Sequence, residues 1–393
     1  MSGAGDYRNY SAGARGLARG MDLAAVPLRP LLQRVAPRGT ASDPPRSILV
    51  VRLDHVGDVL MSTPALAALR RAFPSARIDV LAAGWGRAAL DANPHVNRVR
   101  EGLAPWYDPR QQGLPGPVDV LRVAASLRRE GYDWGFDFRG DPRVLLFYLL
   151  PAARRRFGFS RLGLESLLTD TLPYDRRRSI LDLCLDLVAA AGAPPGGGRR
   201  PVFPTDESSR LTVARVLGEH GLGPLERFAV LAPGANRSPA RWHADRFAVV
   251  ADGLQAAGTR VILVGRAEDA KVARSVAASA RRPDVDLTSK TSLRELGALL
   301  DRAALLVTND SGAAHVAAAV ECPTVAVFGP TDPSLTFPYE DGRRFVSVAA
   351  PIDHPRPCFR PGCSSDHGFS RISAEEVLRA ALRVLSEAAG ETR

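Results

Sequence analysis

Two stretches of this chain share one grammar, and the repetition limits the folds open to it. Ile48-Leu49-Val50-Val51 is an apolar, largely β-branched run of buried-strand length. A turn carrying Asp54, His55, Gly57 and Asp58 follows it, and then helix formers as far as Arg71. Much later, Leu305-Leu306-Val307 leads into Asn309-Asp310-Ser311-Gly312 and an alanine-rich helix ending near Val320. A strand feeding a helix through a short polar turn is the first half of a βαβ unit. Two of them, each with an aspartate in the turn, predict an α/β protein with two Rossmann-like, doubly wound domains facing a central cleft. A length of 393 residues leaves room for two sizeable cores.

The turns carry the chemistry. A helix that opens after a strand presents unpaired backbone N–H groups and the positive end of its dipole, a seat for phosphate. Ser311 and Gly312 can bring a hydroxyl and bare backbone to an anion, and His315, one turn into the helix, can project beside the same point. Asp310 repels phosphate and suits sugar or ribose hydroxyls. The residues alone leave a plainer reading open, with Asp310 or Ser311 as an N-cap and His315 as a buried, satisfied histidine. Asp58 is likewise either a dipole-favoured first-turn carboxylate or a base that takes a proton from an attacking hydroxyl. Asp54 and Gly57 lie in the same turn, and Arg139 ends a further predicted strand, Tyr132 to Phe138, on the same sheet edge.

Several of these motifs together resemble one family. Gly-Asp-Val-Leu-x-x-Thr-Pro-Ala-Leu at Gly57–Leu66, Pro233-Gly234-Ala235, Asp310-Ser311-Gly312-x-x-His315 and Phe328-Gly329-Pro330-Thr331-Asp332-Pro333 are similar to the ADP-heptose:lipopolysaccharide heptosyltransferases, glycosyltransferase family 9. The resemblance spans about Ser47 to Val377. It implies the GT-B fold and an inverting glycosyltransferase that moves a heptose from an ADP-sugar to a hydroxyl of a lipopolysaccharide core or other envelope glycan. It places the general base at Asp58. The donor would be held by Arg237, Arg241, Glu268, Asp310, Ser311, Gly312 and His315, with Glu268 on the ribose, and Asp54, Gly57 and Arg139 would face the acceptor. One position departs from the pattern: relatives commonly carry a donor-binding lysine where this chain has Ala240. Arg237 or Arg241 can supply the charge but not the reach of a lysine. The alternatives are a nucleotide-sugar epimerase of the same fold and a binding protein that has lost transfer.

The expected layout is a basic, disordered extension over 1–46, an acceptor domain over 47–191, a linker region over 192–226, a nucleotide-sugar domain over 227–372, and a helix over 373–393 packing back toward the first domain. Proline in the Thr63-Pro64 pair is expected in the first turns of its helix, where it costs little. The formal charge of +10 is carried by arginine, since of 52 basic residues only Lys271 and Lys290 are lysine. No nucleic-acid signature accompanies that charge. An anionic substrate or membrane surface accounts for it, and Arg154-Arg155-Arg156 and Arg176-Arg177-Arg178 are candidates to greet a phosphorylated acceptor. No apolar stretch has signal-peptide or transmembrane length, so the reading is a cytoplasmic enzyme, with peripheral contact with the inner membrane as an option. No cofactor and no metal is expected. Asp284 and Asp286 share a metal-like spacing by chance, and zinc is the lesser reading of His354, Cys358, Cys363 and His367, which lack a Cys-x-x-Cys knuckle.

Overall fold

In the computed structural model of the chain, residues 30, 34–37, 40–103, 116–161, 163–196, 198–236, 238–280, 285–352, 356–358 and 366–390 are described. They form two compact units, Met1–Gly198 and Arg199–Arg393, each built on a six-stranded parallel sheet.

The first unit runs β1 (Ser47–Arg52), α1 (Val56–Ala72), β2 (Arg77–Ala82), α2 (Gly84–Leu90), β3 (Arg98–Glu101), α3 (Pro117–Glu130) and β4 (Tyr132–Asp137). A helical run over 142–152, here α4, has a π-helical middle at Leu145–Leu149, and β5 (Ala153–Ser160), β6 (Asp170–Pro173) and α5 (Ile180–Ala190) complete it. The sheet order is β3-β2-β1-β4-β5-β6. The order reverses between β1 and β4, where Val51 lies opposite Asp137. Helices cover a parallel sheet on both faces, which is why Ile48 to Val51 can be continuously apolar and fully buried.

Pro64 is not in the first turns of α1. It is interior to the helix and buried. A proline there cannot donate to the carbonyl four residues back, that of Leu60. The Thr63 hydroxyl donates to that oxygen at 2.7 Å, so the Thr-Pro pair repairs its own defect. The chain just before β1 is also tied down. Asp133 accepts from the Arg46 N–H at 2.9 Å, and the Trp134 indole donates to the Ser42 carbonyl at 3.1 Å, so the anchored chain begins a few residues before Ser47.

The second unit repeats the scheme: α6 (Glu207–Glu219), β7 (Phe228–Ala232), α7 (Ala244–Ala256), β8 (Arg260–Leu263), α8 (Ala270–Ser279), β9 (Val285–Asp286), α9 (Leu293–Arg302), β10 (Leu305–Asn309), α10 (Gly312–Ala319), β11 (Thr324–Phe328), α11 (Pro333–Thr336), β12 (Phe345–Ala349) and α12 (Ala374–Gly390). Its order, β12-β11-β10-β7-β8-β9, reverses between β7 and β10. α6 falls in the stretch expected as linker. Asp206 caps it by accepting from Ser209 N at 2.7 Å, and its other oxygen takes the Arg294 guanidinium of α9 at 2.7 Å. Ser373 caps α12 as its spacing with Glu376 suggests. The apolar face of that helix is buried within its own unit. Val377, Ala381 and Val384 are buried in the second core, and Leu378 packs so closely on α7 that a Cβ on Gly253 would stand 2.3 Å from it.

Part of the first arginine cluster is spent internally. Arg155 forks onto Asp170 at 2.8 and 2.9 Å and lies over the Trp134 and Phe157 rings. Arg156 is buried, donating to the carbonyls of Leu167, Ala153 and Arg154. Arg177 pairs with Asp175 and Arg178 with Asp186. β5 thus takes the first cluster into the sheet, while Arg177 and Arg178 stay at the surface.

Candidate active site

In both units the residues of interest sit at the carboxyl edge of the sheet, beside the strand pair where the order reverses. In open α/β sheets that is where ligands bind, because the two flanking connections leave in opposite directions and open a crevice.

In the first unit the crevice is charged. Asp54, just past β1, is 2% exposed and lies between two guanidinium groups. Arg52 Nε stands 2.9 Å from its Oδ2, and Arg139, just past β4, contacts its Oδ1. Arg52 is itself buried. Its Nη1 donates to the Phe138 carbonyl at 2.6 Å, and its Nη2 stands 3.8 Å from Asp58 Oδ1. Asp58 keeps about a quarter of its side chain exposed, 26%, so a substrate hydroxyl can reach it. Gly57 is buried in the first turn of α1. Burial pushes the Asp54 carboxyl up to about 7, with Arg52 pulling it down and Asp58 and Asp137 pushing it further up. Asp137 is also pushed up to about 7 by burial, although it accepts the Arg139 and Asp141 N–H groups at 2.9 Å. Arg52, Arg139, Arg161 and Tyr174 line a pocket of about 100 Å³, with Arg161 stacked on the Tyr174 ring.

In the second unit an uncharged side chain makes the tie between the strand ends. Asn309, the last residue of β10 and fully buried, ties the site together. Its amide donates to the Pro233 carbonyl at 2.7 Å, and its oxygen accepts the Trp242 N–H at 2.9 Å. The Pro-Gly-Ala turn and the Arg241-Trp242 segment are thereby held at the start of α10. Ser311 is the residue before that helix, but its own hydroxyl does not cap it. The Ser311 hydroxyl bonds Thr308 Oγ1 at 3.0 Å instead, and Asp310 accepts from Thr336 at 3.3 Å. The capping reading of Ser311 is therefore not what the geometry shows. Gly312 is the first helical residue. His315 is buried, and its Nδ1 bonds the Tyr339 hydroxyl at 2.9 Å.

Arg241 donates to the Ala235 carbonyl at 3.0 and 3.2 Å and pairs with Asp269 at 3.1 Å. Asp269 is buried under Gly234, where a Cβ would stand 2.3 Å from its carboxyl carbon, and it also accepts the Arg266 N–H at 3.1 Å. Glu268, beside it, is mostly exposed. Arg237 lies outside the described residues, as do His354, Cys363 and Asp284. Among the described residues no group of three His, Cys, Asp or Glu side chains could hold a metal.

Glycosyltransferase family 9 (heptosyltransferase) matches the chain over residues 120–367, more than half of it. The chain belongs to this family. It is 28% identical to lipopolysaccharide heptosyltransferase 2 of Salmonella typhimurium over 314 residues, 77% of this chain and 88% of that protein. It is also 28% identical to lipopolysaccharide heptosyltransferase 3 of Escherichia coli, over 84% of this chain and 96% of the relative. A family 9 glycosyl transferase from Veillonella parvula superposes with a TM-score of 0.75 at 23% identity, covering 87% of this chain and 97% of that one. The E. coli ADP-heptose lps heptosyltransferase II does so with a TM-score of 0.69 at 24% identity, over 88% and 100%. The fold is thus GT-B, two Rossmann-like domains, and the protein is a glycosyltransferase.

Within this family 9 transferase, the motifs at Gly57–Leu66, Pro233–Ala235 and Asp310–His315 fall at the two reversal points, and Phe328–Pro333 runs on from the end of β11, one strand further along the second sheet. Sequence reasoning missed Arg52, Asp137, Asp269, Asn309 and Tyr339, the groups that hold those residues in place. Asn309 and Asp269 carried a signal, since each directly adjoins a motif residue. Arg52, read only as the end of a strand, gave none.

Proposed function

We propose that this transferase moves a heptose from an ADP-sugar to a hydroxyl of a lipopolysaccharide core, with inversion in a single displacement. The observation that carries the reading is the division of labour between the two reversal points. One holds a partly exposed carboxylate, Asp58, beside the buried Arg52, and the other a helix start that the Ser311 hydroxyl does not cap, with Gly312 and His315 in the helix and the Arg241-Trp242 segment tied to it through Asn309. Asp58 takes the proton of the acceptor hydroxyl as its oxygen attacks the anomeric carbon. The bond from that carbon to the β-phosphate oxygen breaks, and its electron pair leaves with ADP. The backbone N–H groups and dipole of α10 and the Arg241 guanidinium meet the growing charge on the diphosphate. Glu268 and Asp310 are assigned to ribose and sugar hydroxyls, and Arg237 to the diphosphate. Asp54, Gly57 and Arg139 are assigned to the acceptor side, and the arginine-lined pocket suits an acid group of the acceptor.

Supporting the donor assignment, an E. coli heptosyltransferase of the same fold has been solved with ADP-2-deoxy-2-fluoro heptose. Arg241 takes the place of the lysine missing at Ala240. Membership of a transferase family disfavours the epimerase alternative. No described helix is long and apolar enough to cross a membrane. We place the enzyme in the cytoplasm, touching the inner membrane peripherally where its lipid acceptor lies.

The test is acceptor-dependent ADP release by wild type and Asp58→Asn. Asp58→Asn is expected to lower kcat by roughly 100- to 10,000-fold while ADP affinity, read by calorimetry, stays within about twofold of wild type. Turnover without acceptor would favour the epimerase, and undiminished turnover by Asp58→Asn would remove the base from this residue.

A further inference from the structure

Asp54, assigned above only to the acceptor side, is a buried carboxylate with no part in the proton transfer itself. It stands between Arg52 and Arg139, which reach it from the ends of the two strands flanking the reversal point. Arg52 stands 2.9 Å from Asp54 but 3.8 Å from Asp58. One guanidinium therefore serves two carboxylates unequally, the closer contact going to the buried one.

We propose that Asp54 is a positioning residue for transfer: by engaging Arg52 and Arg139 it keeps Arg52 from closing on Asp58, and so leaves Asp58 able to accept a proton. This rests on Asp58 being the base. The electrostatics follow from distance. A guanidinium in direct contact with a carboxylate favours its ionised form and weakens it as a base, and a second carboxylate sharing the guanidinium offsets that pull. Removing the Asp54 charge would leave Arg52, anchored through Nη1 to the Phe138 carbonyl, with Asp58 as its nearest carboxylate. The groups that face Asp54 from the packed elements are Arg52, Asp58, Asp137, Arg139, Arg161 and, from α5, Cys184. Asp137 is the other carboxylate among them, and the Arg139 and Asp141 N–H groups already engage it.

Because burial raises the Asp54 carboxyl to about 7, it takes up a proton as pH falls through neutrality. The wild-type kcat should therefore fall on the acid side, with a limb near pH 7. The experiment measures kcat and KM at saturating ADP-heptose from about pH 5.5 to 9 for wild type, Asp54→Asn, Asp54→Glu and Asp58→Asn. Asp54→Asn is expected to lower kcat about tenfold, one unit of base strength, and to lose the limb near pH 7. Acceptor KM should move less than kcat, and calorimetric ADP affinity should be unchanged. Asp54→Glu, which keeps the charge, should retain the limb.

A purely structural role for Asp54 would lower kcat at every pH without removing the limb, and that result overturns the proposal. So does an Asp54→Glu that keeps the charge yet loses as much kcat as Asp54→Asn. Active Asp58→Asn would instead defeat the base assignment on which both readings stand. Inactive Asp58→Asn together with an unaltered Asp54→Asn profile would defeat this inference alone.

Discussion

Replacing Gly234 with alanine tests how the donor-side turn is held. The glycine is required by space: a Cβ there would lie 2.3 Å from Asp269 Cγ and 2.5 and 2.7 Å from its oxygens, whereas ordinary contact begins at 3.4 Å. The carboxylate must retreat by about 1 Å in a close-packed interior. Retreat loosens its pair with Arg241 and its bond from the Arg266 N–H, both at 3.1 Å. A charge-assisted bond contributes ~1.5–3 kcal/mol. Because two such bonds are stretched and not deleted, the expected loss for both together is about 3 kcal/mol. For a unit of this size each kcal/mol lowers Tm by ~2–4 °C, so the second unit should melt roughly 6–12 °C lower. Arg241 would then leave the Ala235 carbonyl, and ADP affinity should fall about tenfold. Scanning calorimetry and ADP titration are the assays, with Gly223→Ala as control, because nothing lies within 4 Å of that Cβ. Gly234→Ala melting within about 2 °C of wild type and binding ADP equally well would refute the reasoning.

Two further predictions concern the strand ends. Asn309→Leu leaves the Pro233 carbonyl and the Trp242 N–H buried without their partners. Each should cost ~1–3 kcal/mol, seen as a loss in the denaturant midpoint of the second unit, and an unchanged midpoint would mean water replaces both bonds. The first unit should become less stable as pH rises. Asp54 and Asp137 have folded values near 7 against an ordinary value of 3.8, so between those values the folded state keeps protons that the unfolded chain has released. Stability therefore falls as pH climbs through that window. Arg155 and Arg100 hold Asp170 and Glu130 below their ordinary values, so the stability those two contribute is lost only below about pH 4.5. The first-unit Tm should be higher at pH 5.5 than at pH 8, and Asp137→Asn should flatten the slope; a Tm rising with pH would contradict the burial argument.

The fold was legible because its signals are local. A β-branched run, a polar turn and a helix fall within two dozen residues, and the pattern recurs, so both sheets could be anticipated from Ile48–Arg71 and Leu305–Val320. Strand order was less so, yet Gly234 and Asp310 already named the edge where the reversal occurs. What could not be read was charge compensation. Arg154-Arg155-Arg156 looks like a solvated run because sequence shows three like charges in a row. The partners, Asp170 and the carbonyls of Ala153, Arg154 and Leu167, arrive only when β5 pairs and turns. The same limit hid Arg52, whose importance lies in what it touches across the sheet edge.

On the proposed function, the two reversal points divide the reaction between two copies of one fold. Their backbone geometry is alike, with a parallel strand, a short turn and a helix N-terminus on the same edge. At the first, Arg52 and Arg139 fill the crevice and leave a carboxylate at its surface, which suits proton removal and an acidic acceptor. At the second, Asn309 supplies the tie with no net charge, so the dipole of α10 is not neutralised by a buried acid beneath it. The one buried acid nearby, Asp269, is matched by Arg241 and Arg266 and lies on the far side of Gly234. A negative charge at Asn309 would sit under the helix start and oppose a diphosphate there. Asn309→Asp should therefore weaken ADP binding more than Asn309→Leu does, although it keeps an oxygen for the Trp242 N–H, and calorimetric titration of the two variants decides whether charge or shape governs that site.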